Sequence, residues 1–107
     1  MRSEALKGHL DMLVLAVLEQ EPAHGYEVIQ RLAARSDGAF DLAEGTVYPA
    51  LYRLEGAGLL TSGETVVSSR RRRVYQLTPA GQAALSQRVA EWKRFARSIG
   101  RTLEAGA

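Results

Sequence analysis

Apolar residues recur at Leu6, Leu10, Leu13, Val17 and Leu18. That is the spacing of one helical face, and it predicts a first helix from an N-cap at Ser3 to about Gln20. Met12, Val14, Leu15 and Ala16 fill the other sides of its second half, which places that half at the centre of the core. The segment Glu21-Pro22-Ala23-His24-Gly25 interrupts the pattern. Tyr26, Ile29, Leu32 and Ala33 then set up a second helix that ends near Ser36-Asp37-Gly38, and Phe40 and Leu42 form a short apolar connection.

The third helix has two unlike faces. Stepping about 100° per residue, Val47, Leu51 and Leu54 fall on one arc, with Pro49, Arg53 and Gly56 opposite and Tyr48 and Tyr52 on the flanks. Proline fits only the first helical turn, where the backbone N–H groups have no intrahelical partner, so the helix begins near Glu44 to Thr46. Gly56-Ala57-Gly58 marks its end.

After Gly58 the pattern becomes strand-like. Leu59 to Val67 and Arg71 to Leu77 are rich in Val, Thr and Tyr, and Val66 to Arg70 is the connecting tip, although it contains neither Gly nor Pro. Three short helices followed by a two-stranded ribbon give a mainly α (α+β) chain with the order of a winged helix-turn-helix. Thr78-Pro79 opens a fourth helix, with a hydroxyl N-cap and proline at the first position. Its apolar residues Leu85, Val89, Trp92, Ala96, Ile99 and Leu103 are spaced 4, 3, 4, 3 and 4 apart, a seam for a partner helix that Phe95 widens. The chain divides into residues 1–78, the winged unit, and residues 79–107, a C-terminal dimerisation helix. The last few residues, from Glu104, read as a frayed tail.

Charge changes the picture because it is unevenly placed. Residues 1–57 carry 5 Lys/Arg against 9 Asp/Glu, and residues 58–107 carry 9 against 3, so −4 and +6 sum to the net +2. A basic half on a small domain suits a nucleic-acid or other polyanionic partner. With 107 residues the chain fits one domain, in which roughly two thirds of the unfolded surface can be buried. It has no cysteine, which excludes disulfides and thiolate chemistry and is compatible with a reducing compartment. Met12 to Leu18 is far too short to span a membrane, and no signal peptide opens the chain. A cytoplasmic protein is expected.

The densest charge is Arg70-Arg71-Arg72-Arg73. On a strand, alternate side chains point to opposite faces, so Arg70 and Arg72 are the pair expected to reach one DNA backbone together. The plainer alternative is a solvated edge that discourages strand pairing. In the third helix, Arg53 suits a bidentate contact to guanine, unless it pairs with Glu55 or Glu27 and the tyrosine rings pack on the second helix. The backbone N–H groups of His24-Gly25-Tyr26-Glu27, which open the second helix, suit a phosphate; the plainer expectation is that Gly25 provides a tight helix entry and Tyr26 packs in the core against the third helix. His9 and His24 have no spaced metal-ligand partners, so no metal or other cofactor is expected. No nucleophile motif, Gly-rich phosphate loop or paired carboxylates point to an enzyme.

Glu-Gly-Thr-Val-Tyr-Pro-Ala-Leu-Tyr-Arg-Leu-Glu-Gly-Ala-Gly-Leu-Leu from Glu44 is preceded by His24-Gly25-Tyr26-Glu27 and followed by Arg73-Val74-Tyr75-Gln76-Leu77-Thr78-Pro79-Ala80-Gly81. Together these motifs closely resemble the PadR family of bacterial transcriptional regulators, over about Leu10 to Gly81, and the single helix after the ribbon resembles its short form. The resemblance implies a homodimeric repressor whose third helix enters the major groove of double-stranded operator DNA, with Thr46, Tyr48, Pro49, Tyr52 and Arg53 as contacts. With one arginine and no Asn or Gln on that face, specificity would rest partly on DNA shape and half-site spacing. The resemblance further implies a pocket for a flat hydrophobic small molecule between paired C-terminal helices, lined by Trp92, Val89, Phe95 and Ala96 with Leu13 or Leu10 behind. Competing with this reading are a winged module that binds protein instead of DNA and, for the basic fourth helix, a membrane surface; the seam spacing favours a partner helix.

Overall fold

The structure, a computed structural model, describes residues 4–104. In chain order it contains α1 (Glu4–Val17), β1 (Ala23–His24), α2 (Gly25–Arg35), α3 (Glu44–Gly56), β2 (Leu60–Val67), β3 (Arg70–Leu77) and α4 (Pro79–Glu104). The expected N-cap Ser3 lies outside the described residues, as does all of the expected tail beyond Glu104, which itself is still helical.

Val14, Leu15, Val17 and Leu18 of α1 and the following turn are 0 to 3% exposed, and they meet Val28 and Leu32 of α2 and Val47, Ala50, Leu51 and Leu54 of α3 in one core. Met12, Leu13 and Ala16 are only half-buried, so α1 is not enclosed on the side that faces α4. Arg31 closes the end of α1. Its guanidinium donates to the carbonyls of Val17 at 2.9 Å, Glu21 at 3.0 Å and Pro22 at 3.2 Å, acceptors that the helix end and the following loop leave without backbone partners.

One expectation fails for an identifiable reason. Tyr26 is 49% exposed and not in the core. The His24 ring accepts the Glu27 N–H at 3.2 Å while the Glu27 carboxylate accepts the His24 N–H at 3.1 Å. This reciprocal cap starts α2 at Gly25, and the inward face becomes Gly25, Val28 and Leu32. The expected two-stranded wing is present as β2 and β3, and a short third strand, β1, joins the other edge of β3 to give the order β1-β3-β2. Ala23 pairs with Tyr75 and His24 with Val74, a strand too short to leave any alternating pattern.

The wing is a regular antiparallel hairpin from Leu60↔Leu77 out to Val67↔Arg70. Its two-residue tip puts Ser68 at φ 51° and Ser69 at φ 65°, the doubly left-handed turn that favours Asn-Gly. Each serine bears a conformational cost there of roughly 1 kcal/mol or more. Replacing Ser68→Asn together with Ser69→Gly is therefore expected to stabilise the protein by about 1 kcal/mol and raise the melting temperature by about 4 °C. Thermal unfolding followed by circular dichroism checks this; an unchanged midpoint would mean that the turn carries no strain.

At the base of the wing the chain is tightly fastened. Gly58 and Leu59 donate to the carbonyls of Glu55 and Leu54, the paired bonds that end α3 at the expected glycine. The Thr78 hydroxyl donates to the Gly58 carbonyl at 2.7 Å and accepts the Gly81 N–H at 3.0 Å, capping α4 as expected while tying it to the end of α3. Among the described residues no helix is long and apolar enough to cross a membrane.

Candidate nucleic-acid interface

α3 buries Val47, Ala50, Leu51 and Leu54 at 2% exposure or less, and that anchors its orientation. Thr46, Pro49, Tyr52 and Arg53 are exposed on the rest of its surface, and Tyr48 is half-buried between the two regions. A Cβ at Gly25 would lie 2.5 Å from the Tyr48 ring, so the glycine that opens α2 is what makes room for that ring. Tyr48 and Tyr52 have ring centroids 6.3 Å apart, tilted by 55°. Burial, then Glu44 and then Tyr52 push the Tyr48 phenol above its ordinary pKa, and the Arg72 guanidinium pulls the other way. The wing thus reaches the flank of α3. The Tyr75 phenol, in the core beneath, is likewise raised, chiefly by burial.

The four wing arginines separate by face. Arg73 lies directly across from Glu64, and the Glu64 carboxylate takes Arg73 at 3.7 Å and Arg71 at 3.8 Å. Arg73 also donates to the Ser62 hydroxyl at 2.9 Å, which donates to the Glu55 carboxylate of α3 at 2.6 Å, a chain that ties the wing to the helix. Arg70 and Arg72 sit on the opposite face, across from Val67 and Thr65, and neither has an ion pair among the described residues.

Arg53 pairs with neither Glu55 nor Glu27. Its partner is Asp11 of α1, which also faces Arg88 of α4 at 3.6 Å. The Glu55 and Glu27 carboxylates are already engaged, by the Ser62 hydroxyl and by the His24 N–H of the α2 cap. Asp11 escapes notice in the sequence because it stands alone between Leu10 and Met12 on an otherwise apolar stretch. No spacing rule links it to a helix more than forty residues away.

On α4 the expected groups are partly rearranged. Leu85 is 3% exposed and belongs to the chain's own core, since it lies in the part of α4 that packs on the winged unit. Trp92, Phe95, Ile99 and Leu103 are 43, 57, 43 and 74% exposed, with Val89 and Ala96 half-buried. Trp92 borders two adjoining grooves. One, of about 410 Å³, is apolar and joins it to Leu6, Met12, Leu13 and Phe40; the other, of about 300 Å³, includes Met12, Arg88, Glu91 and Phe95. Val89 lines a separate cleft with Ala16 and Leu85, and Ala96 borders neither Trp92 groove.

The sequence model of the PadR-like transcriptional regulators matches residues 14–87, well over half of the chain. The chain belongs to the PadR family. A transcriptional regulator of Mycobacterium tuberculosis is 42% identical over 76 residues, covering 71% of this chain and 68% of the relative. Among solved structures, a transcriptional regulator from Clostridium thermocellum superposes with a TM-score of 0.86 at 28% identity, over 92% of this chain and 97% of that one. A PadR-family regulator from Eggerthella lenta gives 0.81 at 34% identity, over 94% and 87%. The winged fold with a C-terminal helix is thus shared, and this PadR chain is a transcriptional regulator and not an enzyme.

Proposed function

We propose that the protein is a cytoplasmic, homodimeric repressor that binds a two-fold symmetric site on double-stranded DNA and is released by a flat hydrophobic molecule. The observation that carries this reading is the apolar seam left open on α4. Pairing two copies would finish burying Trp92, Phe95, Ile99 and Leu103 on each. At roughly 1.5 to 3 kcal/mol per fully buried side chain, and with about half of each still to be buried, the gross gain is roughly 10 kcal/mol. An association cost of about 4–15 kcal/mol is comparable, so pairing through this seam depends on protein concentration.

In such a dimer each α3 presents Thr46, Tyr48, Pro49, Tyr52 and Arg53 to a major groove, and the unpaired Arg70 and Arg72 of the wing meet the backbone beside it. Trp92, with Leu13 and Phe95 around it, is the platform on which a flat ligand stacks near the seam. Such a ligand weakens DNA binding only by favouring one arrangement of the paired helices over the other.

Selection of bound duplexes from a random pool, followed by a salt titration of the winning sequence, tests the reading. The expected result is a two-fold symmetric site whose affinity falls steeply with ionic strength, by an order of magnitude or more between about 50 and 200 mM salt. Recovery of no DNA, or an affinity indifferent to salt, would favour a module that binds protein instead.

A further inference from the structure

Asp11 is a single carboxylate set between two guanidiniums from two different elements, Arg53 of α3 and Arg88 of α4. Asp11 is the better shielded member, with 27% of its side chain exposed against 57% for Arg53 and 40% for Arg88. Arg53 is held through one terminal nitrogen only, not in the parallel two-bond fork of which it is capable. An exposed ion pair of this kind is worth a factor of roughly 5 or less in an equilibrium. A bidentate contact from arginine to guanine is worth a factor of roughly 5 to 150. DNA therefore takes Arg53 from Asp11 at small cost, but the cost is always levied.

We propose that Asp11 is a built-in competitor of DNA for Arg53, and that Arg88 sets how strongly it competes. This rests on the DNA-binding reading above. When Arg53 turns to the duplex, the carboxylate is left with Arg88 as its counter-ion, and without Arg88 it is left uncompensated close to phosphates. Arg88 lines the groove beside Trp92, so whatever draws Arg88 away from Asp11 strengthens the hold on Arg53 and loosens DNA. The triad connects the α4 groove to the DNA-facing side of α3 by charge alone, with no movement of the backbone. Coupling of this form acts equally in both directions.

The experiment is fluorescence anisotropy with a labelled mixed-sequence duplex of about 30 base pairs, long enough for a half-site pair one helical turn apart. Asp11→Asn is expected to bind roughly two- to fivefold tighter than the unaltered protein, and its gain is expected to shrink markedly in an Arg53→Ala background. Arg88→Ala is expected to bind two- to fivefold weaker on its own and to change nothing once Asp11→Asn is present. Thermal unfolding verifies that each variant is folded, and Asp11→Ser replaces Asp11→Asn if the latter is not. Equal or weaker binding by the Asp11 variants overturns the proposal, as does a gain undiminished without Arg53, which would make Asp11 merely one more surface charge. If the unaltered protein binds no duplex at all, it is the DNA-binding reading that fails.

Discussion

Gly81→Ala is expected to lower the stability of the protein by about 3 kcal/mol or more, with a fall in melting temperature above roughly 10 °C. A Cβ at this position would stand 2.0 Å from the Leu59 carbonyl oxygen and 3.0 Å from both its carbon and the Leu77 side chain. The obstacle is backbone, and that backbone is itself fixed. The Leu59 N–H is bonded to Leu54 at the end of α3, and the Leu59 carbonyl accepts the Thr78 N–H at 3.2 Å. Relief requires moving the first turn of α4 outward, which breaks the bond from the Gly81 N–H to the Thr78 hydroxyl. Calorimetric unfolding of the purified variant checks the prediction. A loss below about 1 kcal/mol, the usual size of a substitution without a special mechanism, would show that α4 docks loosely.

The second large effect concerns pairing. Trp92→Glu combined with Ile99→Glu is expected to leave a folded single protomer at micromolar concentration and to weaken binding to a two-fold DNA site by roughly 100-fold or more. Linking two binding modules contributes a factor of about 10² to 10⁴ without any new contact, and that factor is lost when the link is cut. Both side chains are 43% exposed in the single chain, so the acids disturb the fold little. They would, however, place four unpaired carboxylates in an apolar seam. Sedimentation velocity and a binding titration on the selected duplex provide the two readings. Continued dimerisation would place the contact between copies somewhere other than this stretch of α4.

Much of this molecule can be read from its sequence, and most of the exceptions have a common cause. The four helices, the hairpin, the glycine that ends α3 and the Thr78 cap all follow from local rules, because period, proline and cap chemistry act within a few residues. Periodicity alone puts Leu54 on the buried arc of α3 and Tyr52 on its flank, and they are 2 and 58% exposed. What escaped was decided at long range. β1 exists because β3 offers its edge to Ala23 and His24. Leu85 continues the α4 spacing perfectly, yet it is covered because that part of α4 lies on the winged unit. Acids close in sequence or on the neighbouring helix, Glu55 and Glu27, are the partners that spacing suggests for Arg53, whereas its actual partner, Asp11, is on α1. The wing tip lies within the expected Val66 to Arg70, but its turn type is not legible there, since Ser68 and Ser69 adopt a turn that their own side chains disfavour.

The junction of Gly58, Leu59, Thr78 and Gly81 has a mechanical corollary. α4 is about 39 Å long at 1.5 Å per residue, and it is clamped at one end to the terminus of α3. Its first half, through Leu85, also packs on the winged unit, so the lever arm is the stretch beyond Trp92. In the proposed dimer, the gap between the two DNA-facing heads would be set by the angle at which the levers cross, with each head stiff. Substitutions far out along the lever, around Ile99 or Leu103, can retune which operator spacing is accepted without altering a single residue that faces the duplex.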